Sequence, residues 1–398
     1  MTAVLICGWA RPAAAQSSAI FPLDHFWTHA LDAPFAAGPA ADAARVYVPL
    51  STGQLVALAP GLAAPIWSVE LAADATPVAA DGRLFVSAAG AIHALDGATG
   101  SVVWRLPAGP LAAPLVHRAG WLVVALADGA VQAVRASDGV VVWARTLPAP
   151  LAAAAAADDN ALAVALSNGR VLLMVLETGA TRWERPLGAP AAGVTLDRDR
   201  LFVGTSDGFF WSLRAHDGSL DWRWRLGAKP VGAPAVDPER VYVAALDNIV
   251  RGFSRNSGNV RWSYTLPTRP LSGPALVDGL LVLASGAVGL PGLTYVNSRT
   301  GAAAGNTPAL PSSKETTRSQ FPVIITGGAA PRAFVATATT SGDWEVHGYR
   351  QTFLSAVAGA WLFGPLYDIR LRLEYAIGII RFGSRVTLPL PPPPLPPA

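Results

Sequence analysis

The sequence predicts an all-β fold, an eight-bladed β-propeller of four-stranded antiparallel blades with the last blade closed by the N-terminal strand. Three observations carry this expectation. The stretch ALDGATGSVVWRL (Ala94 to Leu106) returns as RASDGVVVWARTL (Arg135 to Leu147), LETGATRWERPL (Leu176 to Leu187), RAHDGSLDWRWRL (Arg214 to Leu226) and SRNSGNVRWSYTL (Ser254 to Leu266). In every copy a Trp follows a Gly by four residues, and these Trp residues stand 39 or 40 residues apart. Each period also holds four strand-like segments, and a four-stranded repeat of about 40 residues is a propeller blade.

Each unit opens on a Pro about 28 residues before its Trp, as Pro39, Pro77, Pro114 and Pro234 do. Pro is tolerated at the first residue of a strand, where its missing N–H costs no ladder bond. The second strand is β-branched and aromatic: RVYVPL from Arg45, RLFVSA from Arg83, WLVVAL from Trp121, RLFVGT from Arg200 and RVYVAA from Arg240. Alternation in these runs predicts a half-buried pleated surface. Tight turns follow at Asp128-Gly129, Asn168-Gly169 and Asp207-Gly208, where Gly and Asn accept positive φ. The third strand reads QLVALA from Gln54, AVQAVR from Ala130, RVLLMV from Arg170 or FFWSLR from Phe209. A second turn carries Gly100, Gly139, Gly179, Gly218 or Gly258, and the Trp strand completes the unit.

Complete units end at Trp67, Trp104, Trp143, Trp183, Trp222 and Trp262. A seventh runs from Pro274 through Leu280 to Ser285 and on to Thr300-Gly301, with Gly305 in the Trp slot and an insert at 286–292. An eighth begins at Pro322, continues through Ala333 to Ala338 and Glu345 to Arg350, and lacks a last strand. Trp27, in the segment Phe26 to Leu31, has the Trp-x-x-x-Leu form and lies 40 residues before Trp67, so the N-terminal strand supplies the missing one. Such closure leaves no unpaired edge between first and last blades.

The propeller is expected over residues 24–352. Residues 1–15 read as a signal peptide, because a short apolar run is followed by Ala13-Ala14-Ala15 before Gln16. No basic residue precedes that run, so the translation start lies open, and Ile6 makes Cys7 a poor lipidation site. Residues 353–385 form an apolar C-terminal segment with three open readings: packing on the ring, an interfacial anchor through 353–382, or no settled fold. Residues 386–398 are a Pro-rich tail of polyproline II type. No apolar run reaches the roughly 18 residues of a membrane-spanning helix.

Charged residues make up 14% of the chain, apolar ones 52%, and the formal net charge is +3 without any Lys/Arg run, which gives no footprint for nucleic acid. The single cysteine, Cys7, excludes a disulfide, a cysteine-ligated metal or a haem attachment in the repeats. No catalytic, cofactor-binding or metal-ligating residue emerges. His25 and His29, four apart on a strand, stand about 13 Å from each other with no third ligand nearby. His216-Asp217 with Ser212 has the residue types of a triad, but neighbours on a strand point to opposite faces and Asp217-Gly218 is a repeat turn. The repeat Trp residues, evenly spaced, are expected to wedge between blades. Trp211, Trp224 and Trp344 fall outside that slot and are candidates for surface contact.

These repeats resemble the PQQ-type propeller repeat shared by quinoprotein dehydrogenases and by BamB-like subunits of the outer-membrane barrel assembly machinery. The resemblance covers about 24–352 and implies eight blades. A quinoprotein enzyme would imply adjacent cysteines over the cofactor, a calcium held by Glu, Asn and Asp, and an Asp base; the cysteines are absent here. A BamB-like protein implies no chemistry, a similar size and a periplasmic or outer-membrane location. Turns between blades such as Leu106 to Pro114 lack the longer insert of that family, so no partner-contact residue carries over. The expected function is therefore a non-enzymatic scaffold for an envelope protein partner, without cofactor and with open oligomeric state. The alternatives are a quinone- or sugar-binding propeller, with PQQ and calcium, and a ring docked on membrane through 353–382.

Overall fold

Eight four-stranded antiparallel sheets follow the repeat period. The computed structural model describes residues 24–277, 279–284, 293–306, 316–325, 332–339 and 344–350, with 375–376 and 379–380 beyond them. The expectations for residues 1–15, Cys7, the insert at 286–292 and the tail at 386–398 lie outside the described residues. Of 353–385 only a short antiparallel pair is described, Tyr375–Ala376 with Ile379–Ile380. Among the described residues no helix is long and apolar enough to cross a membrane.

Blade 1 spans residues 40–70, blade 2 spans 78–107, blade 3 spans 116–146 and blade 4 spans 156–186. Blades 5, 6 and 7 span 191–225, 235–265 and 275–306. Within each, strands pair in chain order, and from blade 1 to blade 7 the first strand of each blade touches the first strand of the next, so first strands line the axis and fourth strands form the rim. Blade 8 takes Thr316–Ile325, Arg332–Thr339 and Trp344–Arg350, and its rim strand is Asp24–Leu31. Leu31 pairs with Trp344 and Asp24 with Arg350, antiparallel, as the orphan Trp-x-x-x-Leu segment required. The inner strand of blade 8 then reaches that of blade 1.

The second and third strands differ from the half-buried expectation, because they are buried on both faces. Leu84, Phe85 and Val86 are all fully buried although their side chains alternate. The reason is the ring itself: each apolar core lies between two blades, so a blade packs on a neighbour with either face. Val123, Ala125 and Val131 of blade 3 join Leu162, Val164 and Leu172 of blade 4 in one cluster. The intervening residues Ala161, Ala163 and Leu173 of blade 4 face Leu201 and Val203 of blade 5 in the next.

Blades 2 to 7 also share an irregularity at the rim. The register of the third and fourth strands shifts directly beside the Trp slot, leaving Val103, Val142, Arg182, Asp221, Arg261 and Ala304 unpaired. A bulge of this kind adds twist and re-aims the next side chain. In blades 2 to 6 the next side chain is the repeat Trp, and in blade 7 that place holds Gly305.

Candidate functional site

Each repeat Trp meets the Gly turn of the following blade. Trp67 Nε1 donates to the Gly97 carbonyl at 3.1 Å, Trp104 to Ala136 at 3.0 Å, and Trp143 to Leu176 at 2.7 Å. Trp183, Trp222 and Trp262 donate likewise to the carbonyls of Ala215, Arg255 and Ser298. Three residues beyond each acceptor sits a Gly with positive φ on which the indole lies: Gly100, Gly139, Gly179, Gly218, Gly258 and Gly301. A methyl group at Gly179 would stand 2.6 Å from the Trp143 ring. In blade 8, Trp27 packs with Val46, Val48 and Leu58 of blade 1. These indoles are engaged in the seams between blades.

The face that joins each rim strand to the next inner strand is rich in small residues. Its connections read PAGPLAAP (107–114), LPAPLAAAA (147–155) and LGAPAA (187–192), with Asp32, Asp74, Lys229 and Arg269 as exposed charges and the Asp247–Arg251 ion pair beside Gly227. Inner main chains approach closely here: a Cβ on Gly193 would overlap the Gly232 carbonyl, and one on Gly232 would overlap Gly273.

The opposite face carries the polar chemistry. Asp42 accepts the Tyr47 hydroxyl at 2.6 Å and the amides of Ala44 and Arg45 at 2.7 Å, while the same hydroxyl also reaches the Gly97 carbonyl of blade 2 at 3.1 Å. Burial and the Asp42 acceptor push the Tyr47 hydroxyl well above its ordinary range. Burial works against the Asp42 carboxylate, but the hydrogen bonds from Tyr47 and two amides outweigh it and lower its pKa. Asp237 and Tyr242 repeat the arrangement in blade 6. Between blades 5 and 6 the buried Arg255 binds the carboxylate and carbonyl of Asp197 and the carboxylate of Asp199. Between blades 2 and 3 the position of Arg255 is Ala136 and that of Tyr47 is Phe85, and a cavity of about 490 Å³ opens there. Asp81, Arg83, Trp121 and Arg135 line it, Arg83 donates to the Ser137 carbonyl at 2.7 Å, and His117 stacks on Phe85. Burial lowers the His117 pKa against the pull of Asp81, 3.2 Å away.

Of the three Trp residues expected at the surface, Trp211 is the correction: it is only 7% exposed, and its Nε1 donates to Thr205 Oγ1 at 3.2 Å. The third strand of a blade is covered on both sides, so its aromatic residue packs inward. Trp224 is 39% exposed on the rim strand of blade 5, edge-on to Phe253 at 5.9 Å. Trp344 lies in the strand paired to Asp24–Leu31, and its side chain lies outside the described residues. Beside Trp211 the exposed Arg223 guanidinium sits 4.9 Å over the Trp211 ring and 5.1 Å over Phe209, and Arg225 sits 5.4 Å over Phe209. Sequence reasoning missed this stack, though the Arg-x-Arg on a rim strand opposite Phe-x-Trp was its signal. The triad types do not converge: His216 and Asp217 meet on an exposed turn at 3.1 Å, whereas Ser212 is fully buried. Of the spaced pair His25 and His29, the second lies tilted against Trp27 at 5.7 Å and burial lowers its pKa; the side chain of the first lies outside the described residues.

Known proteins place this geometry. The family model described as outer membrane protein assembly factor BamB matches residues 24–89, 63–192 and 178–343. No curated protein matches the sequence. BamB from Moraxella catarrhalis is similar in structure with a TM-score of 0.61 at 18% identity, covering 82% of this chain and 97% of its own. The computationally designed Ika8 protein gives 0.64 at 14% identity, covering 81% of this chain and 99% of its own. The quinohemoprotein alcohol dehydrogenase of Comamonas testosteroni gives 0.63 at 13% identity over 87% of this chain and 79% of its own. At these identities the solved structures establish the shared propeller fold and no activity. The family match spans most of the repeat region, and the chain belongs to the PQQ-repeat propeller family of the outer membrane protein assembly factor BamB.

Proposed function

We propose that this protein is an exported, non-enzymatic propeller that holds a protein partner at the bacterial cell envelope, in the manner its family's description names. The observation that carries this reading is the make-up of the connections between blades, where Ala, Gly and Pro stand in place of converging carboxylates, Asn and Arg. A pocket that orients a small molecule needs a few convergent polar groups. Outer-membrane protein assembly is the finer form of the proposal, drawn from the family description.

Two observations weigh against a quinone-and-calcium site like that of quinoprotein dehydrogenases. Among the described residues no three of His, Cys, Asp and Glu come together as a metal site would need, and the repeat Trp residues are engaged in seams. A quinone- or sugar-binding propeller is the second reading, supported by the cavity between blades 2 and 3. One experiment separates them: capture from envelope extract on the immobilised mature chain, beside calorimetric titration with PQQ and Ca²⁺. Recovery of a barrel or its assembly subunits with no heat of cofactor binding supports the scaffold. Saturable, Ca²⁺-dependent quinone binding overturns it.

A further inference from the structure

Two rim-strand arginines of this propeller tie one blade to the next. Arg145 of blade 3 donates to the Thr178 carbonyl of blade 4 at 2.9 Å, and Arg185 of blade 4 to the Gly218 carbonyl of blade 5 at 2.7 Å. Both stand two residues after the repeat Trp. In blade 5 that place is Trp224, and arginines flank it as Arg223 and Arg225. The strand Leu220–Arg225 is the last of its sheet, hydrogen-bonded on one side only. Trp222 and Trp224 turn toward Phe253 of blade 6, so Arg223 and Arg225 share the other face, over Phe209 and Trp211.

Stacking uses the flat face of a guanidinium and leaves its in-plane N–H donors for a carboxylate, with less rotamer freedom left to lose. Among the described residues neither Arg223 nor Arg225 forms an ion pair, and the neighbouring carboxylates have other partners. Glu184 is paired with Arg170, Asp207 accepts from Thr205 at 2.6 Å, and Asp221 is held by Arg200 at 2.9 Å. Two cationic forks therefore stand unneutralised on an open strand edge, two residues apart, over an aromatic floor.

We infer that the rim strand Leu220–Arg225 of blade 5 binds an extended acidic segment of a partner protein, its alternate carboxylates received by Arg223 and Arg225. Residues two apart on an extended chain repeat every ~6.6 Å, the same period as the two arginines on their strand. Main-chain pairing along the edge supplies affinity, and the alternate side chains supply specificity. An anionic membrane is a poorer match, since surface recruitment calls for clusters of roughly four to eight basic residues. The inference rests on the scaffold reading and names the chemistry of its partner.

The test is fluorescence anisotropy with a labelled decapeptide of alternating Glu and Thr, against its Gln–Thr counterpart and vesicles of phosphatidylglycerol. The expected result is saturable binding of the Glu peptide alone, weakened about tenfold in the double variant Arg223→Gln/Arg225→Gln and by added salt. Arg145→Gln, whose arginine is tied to a turn, should bind like the parent. Both replaced arginines are exposed, and an unchanged urea midpoint verifies folding. Equal binding by the double variant, no binding by the parent, or binding of vesicles in place of peptide each overturns the inference. Envelope capture with the double variant separates the two readings. If parent and variant recover assembly subunits equally, the scaffold stands and this edge is not its contact; if the parent recovers none, the scaffold falls.

Discussion

Gly179 and Trp143 show at residue scale why the repeat keeps its two most regular letters. Gly179 has φ +66° and the indole of Trp143 lies where its Cβ would be, so both backbone conformation and space demand glycine. Gly179→Ala is expected to cost about 2–4 kcal/mol, the sum of left-handed strain and overpacking. Gly61 is the control, because it has φ +92° with open space around it. Gly61→Ala should cost only about 1–2 kcal/mol of backbone strain. Urea denaturation of the two variants checks the difference, and equal midpoints would mean the indole yields freely. The sequence made this Gly and Trp legible by their spacing. The even spacing predicted that each Trp wedges between blades, but not which Gly it meets, since the partner of Trp143 lies in the next period.

At the scale of the element, the decisive feature is the strand Asp24–Leu31, which joins the far end of the chain through seven residue pairs from Asp24↔Arg350 to Leu31↔Trp344. An unpaired strand edge is a template for association. Removing residues 1–31 should therefore leave Trp344–Arg350 exposed and produce concentration-dependent assembly on size-exclusion chromatography. A synthetic peptide of residues 24–31 should reverse it. A truncated chain that stays monodisperse with an unchanged melting temperature would show that closure does not hold the ring. The closing strand was legible because its Trp-x-x-x-Leu form had no blade of its own. The rim bulges were not, because an extra residue beside the Trp leaves the Gly-to-Trp spacing unaltered.

For the whole molecule, cores lie between blades, so polar groups caught at the seams bear on global stability. Burial lowers the pKa values of His29, His93 and His117 from the ordinary 6.5. Below that value the unfolded chain binds protons that the folded chain refuses, so stability falls with pH. The loss begins as pH drops through about 6.5 and continues toward the lowered folded values. Asp42, whose pKa is also lowered on folding, adds a further loss below its ordinary 3.8. The urea midpoint is expected to be level from about pH 8 to 7 and to decline toward pH 5. Replacing the three His residues by Gln should flatten that decline, and a level profile in the parent would refute the account.

The sequence by itself determined the blade count, the strand order within a blade and the closure, because a fixed period forces every unit into the same local structure. Only the tertiary structure decided what each face of a blade meets. Trp211 reads as an off-pattern aromatic, yet neighbouring packing buries it under Arg223 and against Thr205. Phe85 and Ala136 read as ordinary repeat letters, yet together they open the cavity between blades 2 and 3 that Tyr47 and Arg255 fill elsewhere. The physical reason is the same in each case: a periodic sequence specifies contacts within a repeat, whereas a seam joins residues from two repeats whose pairing arises when the ring closes.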